Sequence, residues 1–262
     1  MSAIDDRFAL LRNENRPALM PYLCAGFPDA ATFRSLLRAA ADAGADLVEI
    51  GIPFSDPIAD GPAIQHAGHE ALLAGTTPEK ALAWSRDLTG PVKVVMTYAN
   101  PVLSLGAGRF FEKAAAAGFS GAIIPDLTPE GAARHLHGTA GLDLIPMVAP
   151  TTPSARLKKL VAGRGGFVYL VSVAGVTGAR RDLPPGLEVF VRRVRKATPR
   201  PVCVGFGIST PAHAAAVGRF ADGVIVGSAL VHLVRDAGKR RAPGLVRRFL
   251  EKMRRSLDAA RD

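Results

Sequence analysis

Cysteine is scarce in this sequence. Only Cys24 and Cys203 occur among 262 residues, and both stand in apolar runs that resemble strands. One pair in so long a chain is not a disulfide framework, and reduced cysteines fit a cytoplasmic protein. The N-terminus has no basic segment followed by an apolar core, and no apolar run reaches the roughly eighteen residues of a membrane span. We therefore expect neither secretion nor membrane insertion.

The sequence also lacks the common motifs of metal, nucleotide and redox sites. It contains no H-E-x-x-H, G-x-S-x-G, Walker or C-x-x-C pattern. His66 and His69 lie close together in the sequence, but no third ligand accompanies them, so we expect no metal centre. With these sites excluded, the chemistry that we expect is acid–base catalysis on a small molecule.

The balance of charge is strongly basic, with a formal net charge of +10. Much of the excess lies in two stretches that resemble exposed helix, residues 191–196 and 239–255. Neither stretch has interleaved aromatic residues or a known nucleic-acid-reading motif. We interpret both stretches as solvated helix faces and expect no nucleic-acid partner. The positive charge is also compatible with attraction of a phosphorylated small molecule.

Short strand-like runs alternate with amphipathic helical stretches along the whole chain, without a linker or a break in composition. Eight β–α repeats favour a closed TIM (β/α)8 barrel over an open doubly wound sheet. We predict a single α/β domain over residues 1–262, with additional short helices such as residues 5–11. The predicted strands are residues 19–24, 46–50, 92–97, 121–124, 142–148, 167–172, 202–205 and 223–226.

Glu49 stands at the end of the second predicted strand, among residues that favour burial. A desolvated carboxylate costs several kcal/mol unless it is paired, hydrated or protonated through a raised pKa. Alternation along the strand places Glu49 on the same face as Leu47, toward the barrel mouth where such folds carry their active sites. Glu49 is therefore a candidate acid or base, and a buried structural ion pair is the alternative.

The loop that follows, residues 51–65, carries Asp56 and Asp60 between three prolines. Prolines restrict the backbone while the acidic side chains stay accessible. Asp before Gly is a common turn former, so Asp60 by itself fits a turn as well as a catalytic role. Asp56, after Ser55, resembles loop scaffolding.

Glycines follow the last two predicted strands, at Gly205, Gly207 and Gly227, and Ser228 then opens a helical stretch. Backbone amides of glycine turns and of a helix N-terminus bind phosphate, and barrels often do so after these two strands. Tight turns would explain each glycine motif separately. After the sixth strand, residues 172–186 form a long glycine-rich segment, which is typical of a lid, with a solvated loop as the alternative.

In their order along the chain, these motifs resemble the alpha chain of tryptophan synthase. The resemblance covers nearly the whole sequence, and the motif in the second strand and its loop is long and specific. The matching segments are Pro21 to Gly26, Val48 to Gln65, Met96 to Pro101, Ile124 to Leu127, Gly175 to Gly178, Gly205 to Ser209, and Gly227 with Ser228.

The resemblance implies a TIM barrel that cleaves indole-3-glycerol phosphate into indole and glyceraldehyde 3-phosphate, a retro-aldol reaction without a cofactor. Glu49 then corresponds to the family's acid–base residue, and Asp60 to the carboxylate that holds the indole N–H. Tyr169 would neighbour both acids. The remaining correspondences are the lid residue Thr177 and the phosphate contacts Gly178, Gly207, Gly227 and Ser228.

The resemblance also implies a partner. The family works with a beta chain that contains pyridoxal phosphate and receives indole through a tunnel, in an α2β2 heterotetramer. The cofactor would belong to that partner, and Asp56, Tyr98, Asn100 and Pro101 would face it. Two alternatives stay open: a free-standing lyase that releases indole, and a non-catalytic activator of the beta chain.

Overall fold

The computed structural model describes residues 2–163, 165–171, 183–205 and 207–261. Helices and strands alternate through these residues. The strands are β1 (Ala18–Cys24), β2 (Leu47–Gly51), β3 (Val92–Met96), β4 (Phe119–Ile123), β5 (Asp143–Leu144), β6 (Met147–Val148), β7 (Val168–Leu170), β8 (Val202–Val204) and β9 (Gly223–Val226). The helices are α1 (Ala3–Asn13), α2 (Ala30–Asp42), α3 (Pro62–Leu73), α4 (Pro78–Trp84), α5 (Ala99–Leu105), α6 (Ala107–Ala116), α7 (Pro129–His135), α8 (Ser154–Leu160), α9 (Leu187–Arg195), α10 (Pro211–Gly218) and α11 (Ser228–Asp258).

The strands form one parallel sheet in the order β5-β4-β3-β2-β1-β9-β8-β7-β6. Its two ends, β5 and β6, are separated along the chain only by Ile145 and Pro146. The Ile145 amide donates to the Ala122 carbonyl at 2.9 Å, and the Pro146 carbonyl accepts from the Tyr169 amide at 2.9 Å. This segment therefore bonds β4 on one side and β7 on the other, which closes the sheet into a barrel.

The predicted TIM (β/α)8 fold is confirmed, but the predicted fifth strand is divided into β5 and β6. Pro146 has no amide hydrogen, so a regular ladder cannot continue through it. The pairing partner changes from β4 to β7 at this residue. The other predicted strands lie where expected, with ends that differ by at most two residues.

Alternate side chains of each strand point into the barrel or out toward the helices. Leu47 belongs to the interior cluster, whereas Val48 and Ile50 pack in the outer layer with the helices. Helix α1 covers the N-terminal end of the barrel, and its Phe8 ring lies 5.9 Å from the ring of Phe167. Since that end is covered, the carboxyl ends of the strands are where a ligand can enter.

Helix α11 is bent at Gly238, whose φ of 68° and ψ of 161° are not helical. Its first segment follows β9 directly and corresponds to the helix predicted from Ser228. Its second segment packs against α2 and carries the predicted solvated cations on its exposed side, among them Arg248 and Lys252. Within the described part of the chain, no helix combines the length and apolarity of a membrane span.

A buried ion pair joins this second segment to the N-terminal end of the barrel. Arg254 Nη1 donates to Asp46 Oδ2 at 2.9 Å, and Arg254 Nη2 donates to the Pro17 carbonyl at 3.0 Å. The same Asp46 oxygen accepts the Leu19 amide at 2.9 Å. The side chains of Arg254 and Asp46 are 8% and 6% exposed, and Arg254 Nη2 also pairs with Asp258 Oδ1 at 2.7 Å, so Asp46 depends on Arg254 for a buried cation.

We expect Arg254→Met to lower the free energy of unfolding by about 3–5 kcal/mol, because it leaves Asp46 buried without its cation. Chemical denaturation at neutral pH measures this loss. Arg248→Met, on the exposed side of the same helix, is the matched control and should stay within about 0.5 kcal/mol of the parent. Equal losses in the two variants would contradict a stabilising role of the pair.

Candidate active site

Glu49 lies on β2, where its Cα pairs with Tyr22 on β1 and Val94 on β3. It is 3% exposed, and its Oε2 atom is buried with no hydrogen-bond partner in the described residues. Burial, and then the negative charge of Asp60, raises the pKa of Glu49 to about 8. The carboxyl group therefore holds its proton at neutral pH and can donate it. The alternative of a structural ion pair does not apply, because no cation of the described residues pairs with it.

Asp60 is held in the loop after β2 by Tyr98. The Tyr98 hydroxyl hydrogen-bonds the Asp60 carboxylate and accepts the Ala59 amide at 3.1 Å. Burial raises the pKa of Asp60 to about 6, and the bond from Tyr98 opposes this rise. At neutral pH Asp60 is mainly ionised while Glu49 is mainly protonated. Two carboxyl groups with separated pKa values can take an acid role and a charge-stabilising role.

The structure places Tyr98 differently from the prediction. We expected it on a partner-facing surface, but the residue is 1% exposed and its ring lies 5.3 Å from the ring of Phe54. A buried tyrosine needs a hydrogen-bond partner for its hydroxyl, and Asp60 and Ala59 provide it. The side chain of Tyr98 therefore belongs to the acidic site, and its assignment to the partner surface is wrong.

All three tyrosines of the chain lie around these carboxyl groups. Burial raises the pKa of Tyr22, Tyr98 and Tyr169, and the negative charge of Asp60 contributes to each. The Tyr22 ring crosses to Gly51, where a β-carbon would lie 2.2 Å from the hydroxyl, and the Tyr169 ring crosses to Gly205 in the same way. Only glycine leaves room for such a close approach.

The predicted phosphate contacts follow two neighbouring strands, β8 and β9, at the carboxyl edge of the barrel. Gly207 has a φ of +80°, in the region that favours glycine. Gly227 immediately precedes α11, which begins at Ser228, so the positive end of that helix lies at this edge. Thr177 and Gly178 lie outside the described residues.

The two segments proposed to face a partner carry both polar and apolar side chains at their surface. Asp56 and Asn100 are exposed and Pro101 is half-buried. The hydrogen bond between Ala59 and Tyr98 joins the loop of Asp56 to the start of α5, which carries Asn100 and Pro101. Ile58 is 80% exposed and Leu103 is 43% exposed. Large exposed apolar side chains beside polar ones are typical of a protein interface.

Metal-ligating side chains do not cluster in the described part of the chain, where no group of three is found. His66 pairs with Glu70 at 3.0 Å on the exposed side of α3. Cys24 and Cys203 are buried and free, and burial raises the pKa of Cys24 to about 12, so its thiol stays protonated.

Two residues of the site were not singled out from the sequence. Tyr22 follows Met20 on the inward face of β1, and this alternation could have identified it. His213 is buried on α10, with its Nδ1 3.0 Å from the Gly207 carbonyl. No local pattern marks His213, because its partner is a turn whose conformation the sequence does not specify.

Comparison with known proteins agrees with this geometry. The family model described as tryptophan synthase alpha chain matches residues 8–260. The alpha chain of Carboxydothermus hydrogenoformans is 47% identical over 242 residues and covers 90% of each chain. The alpha chain of Roseiflexus castenholzii is 48% identical and covers 90% of this chain and 93% of the relative.

Solved structures agree as well. The structure of Mycobacterium tuberculosis tryptophan synthase superposes with a TM-score of 0.87 at 37% identity, and covers 98% of each chain. The tryptophan synthase alpha chain of Legionella pneumophila superposes with a TM-score of 0.88 at 33% identity, again over 98% of each chain. The chain therefore belongs to the tryptophan synthase alpha chain family.

Proposed function

We propose that Glu49 and Asp60 together cleave indole-3-glycerol phosphate into indole and glyceraldehyde 3-phosphate. Membership of the family makes the chain a carbon–carbon lyase acting on this substrate. The observation that carries the assignment of residues is the Glu49 carboxyl group, which is buried, has an unpartnered oxygen, and has a pKa raised to about 8 by burial and by the charge of Asp60. A protonated acid beside a fixed negative charge is what this reaction needs.

The reaction proceeds in two proton transfers. Glu49 donates its proton to the indole ring carbon that carries the side chain, and positive charge then develops on the ring nitrogen. Asp60 stabilises that charge through the indole N–H in a site from which water is largely excluded. The Glu49 carboxylate next takes the proton of the side-chain hydroxyl while the carbon–carbon bond breaks. Indole and an aldehyde leave, and Glu49 regains its proton.

The phosphate of the substrate lies, in this proposal, at the turns after β8 and β9. Gly207 provides a backbone amide in the turn after β8, and Gly227 and Ser228 provide amides at the start of α11, whose helix dipole favours the negative charge. Gly178 is proposed to add a further phosphate contact, and Thr177 to cover the site as the family's lid residue does. Tyr169 packs beside the acids and shapes the space for the ring.

The partner is proposed to be a tryptophan synthase beta chain in an α2β2 assembly that receives the indole. The exposed apolar side chains of Ile58 and Leu103, with Asp56, Asn100 and Pro101, support a docking surface beside the site. We expect this chain to need no cofactor of its own, because Glu49 and Asp60 supply the acid–base chemistry. Pyridoxal phosphate would belong to the beta chain.

Mixing the purified chain with indole-3-glycerol phosphate, alone and with a beta chain, tests the proposal through the rate of indole or tryptophan formation. We expect the rate to rise sharply with the partner, because docking orders the loops around Asp60. Fast release of indole without a partner would instead identify a free-standing lyase. No turnover in either mixture, with stimulation of the beta chain retained, would identify a non-catalytic activator.

Ile58→Asp tests the surface. We expect it to raise the beta-chain concentration needed for half-maximal stimulation by about tenfold or more, because it places a charge in an apolar contact. Turnover of the chain alone should stay unchanged. Leu73→Asp is the matched control, since Leu73 is 76% exposed at the far end of α3. An equal shift in both variants would contradict this surface.

A further inference from the structure

His213 is a buried polar residue that the reaction described above does not use. It lies in the first turn of α10 and is 8% exposed. The helix start does not depend on its ring, because the Thr210 side chain caps the helix by accepting the His213 amide at 3.1 Å. The hydrogen bonds of the imidazole are therefore separate from the helix cap.

The imidazole points back to the turn after β8. Its Nδ1 atom lies 3.0 Å from the Gly207 carbonyl and 3.3 Å from Ser209 Oγ. A carbonyl oxygen only accepts hydrogen bonds, so Nδ1 carries a proton and donates it to Gly207. The ring is thus hydrogen-bonded to Gly207, whose backbone has the left-handed conformation described above.

The side of Gly207 that would carry a β-carbon is not packed against the rest of the described chain. Apart from Gly207 itself and its two neighbours in the chain, no heavy atom of the described residues lies within 4 Å of the place that a β-carbon on Gly207 would occupy. That side of the turn is open, as a ligand-binding turn must be. With that side open to a ligand, the hydrogen bond from His213 helps to keep the amides of the turn in one direction.

We infer that His213 is a positioning residue of the phosphate site, which holds the Gly207 turn so that its amides face the substrate phosphate. This inference rests on the proposed function, in which Gly207 and Gly227 bind that phosphate. The hydrogen bonds described for the His213 ring go to the turn after β8 and not to the acids, so its loss should weaken binding and leave the proton transfers intact. The effect therefore appears in KM.

The test uses His213→Leu and His213→Asn in the full chain with its beta chain. His213→Leu removes the donor and should raise KM for indole-3-glycerol phosphate by about three- to tenfold, with kcat within about twofold. The inhibition constant of inorganic phosphate should rise in parallel. His213→Asn places an amide N–H near the position of Nδ1 and should restore both constants to within about twofold. His135→Leu, at an exposed histidine of α7, is the control.

Unchanged KM and phosphate inhibition in His213→Leu, or a fall in kcat alone, would overturn the inference. Circular dichroism monitors folding, and His213→Phe, which keeps the ring volume without the donor, replaces the leucine variant if that variant unfolds. Gly227→Asp tests the phosphate site independently of His213, because the introduced charge repels phosphate directly. If Gly227→Asp leaves phosphate inhibition unchanged, the proposed phosphate site is wrong; if only the His213 variants do so, the site stands and the inference is wrong.

Discussion

Replacing Glu49 with glutamine should reduce turnover of indole-3-glycerol phosphate by about 10²- to 10⁴-fold, while substrate binding is retained. The amide keeps the shape of the carboxyl group but can neither give the ring carbon its proton nor accept the hydroxyl proton. Single-turnover kinetics with excess enzyme, together with the inhibition constant of inorganic phosphate, separates chemistry from binding. Glu112→Gln, at an exposed residue of α6, is the matched control.

The same variant should be more stable than the parent chain, increasingly so as the pH rises. The pKa of Glu49 is 4.5 as a reference value and about 8 in the folded chain. Between these values the folded state binds more protons than the unfolded state, so Glu49 lowers the free energy of unfolding as pH rises from 4.5 to 8. Glutamine removes this loss, which is on the order of a few kcal/mol above pH 8. A difference in stability that does not grow with pH, or activity that survives, would refute the assignment.

Asp60→Asn should lower kcat/KM by about 10²- to 10³-fold, because the amide no longer balances the positive charge that develops on the indole nitrogen. The side chain keeps its size and can still hydrogen-bond, so the loss measures charge more than fit. Asp42→Asn, at an exposed residue of α2, is the control and should retain full activity.

The pH profile tests the two carboxyl groups together. In the parent chain, kcat/KM should rise through about pH 6 as Asp60 loses its proton, and fall through about pH 8 as Glu49 loses its own. In Asp60→Asn the acidic limb should disappear. The basic limb should also move to lower pH, because the charge of Asp60 no longer raises the pKa of Glu49. A basic limb that stays in place would show that Asp60 does not act on Glu49.

Much of the fold follows from periodicity in the sequence. Eight alternations of strand and helix leave little besides a barrel, and the position of Glu49 on the inward face follows from its place two residues after Leu47. The raised pKa of Glu49 also follows, since an acid on that face must lose water. These features depend on local pattern, which a single sequence carries.

Features that depend on contacts between distant segments could not be read in this way. Pro146 was visible in the sequence, but its effect, a change of strand partner from β4 to β7, depends on both neighbours. We predicted Tyr98 on the partner-facing surface because its motif adjoins Asn100 and Pro101. Its hydroxyl is instead hydrogen-bonded to Asp60, which lies on another loop. His213 likewise depends on the backbone of Gly207, six residues away.

The grouping of all three tyrosines around Glu49 and Asp60 gives this chain a built-in optical signal. A tyrosine in water ionises near pH 10, and its ultraviolet absorption then changes. Because burial raises the pKa of Tyr22, Tyr98 and Tyr169, these side chains stay protonated in the folded barrel at pH values where a free tyrosine ionises. The absorption change is then absent as long as the barrel is folded. Tyrosinate absorbance in an alkaline titration therefore records the opening of the active site itself, without any attached label.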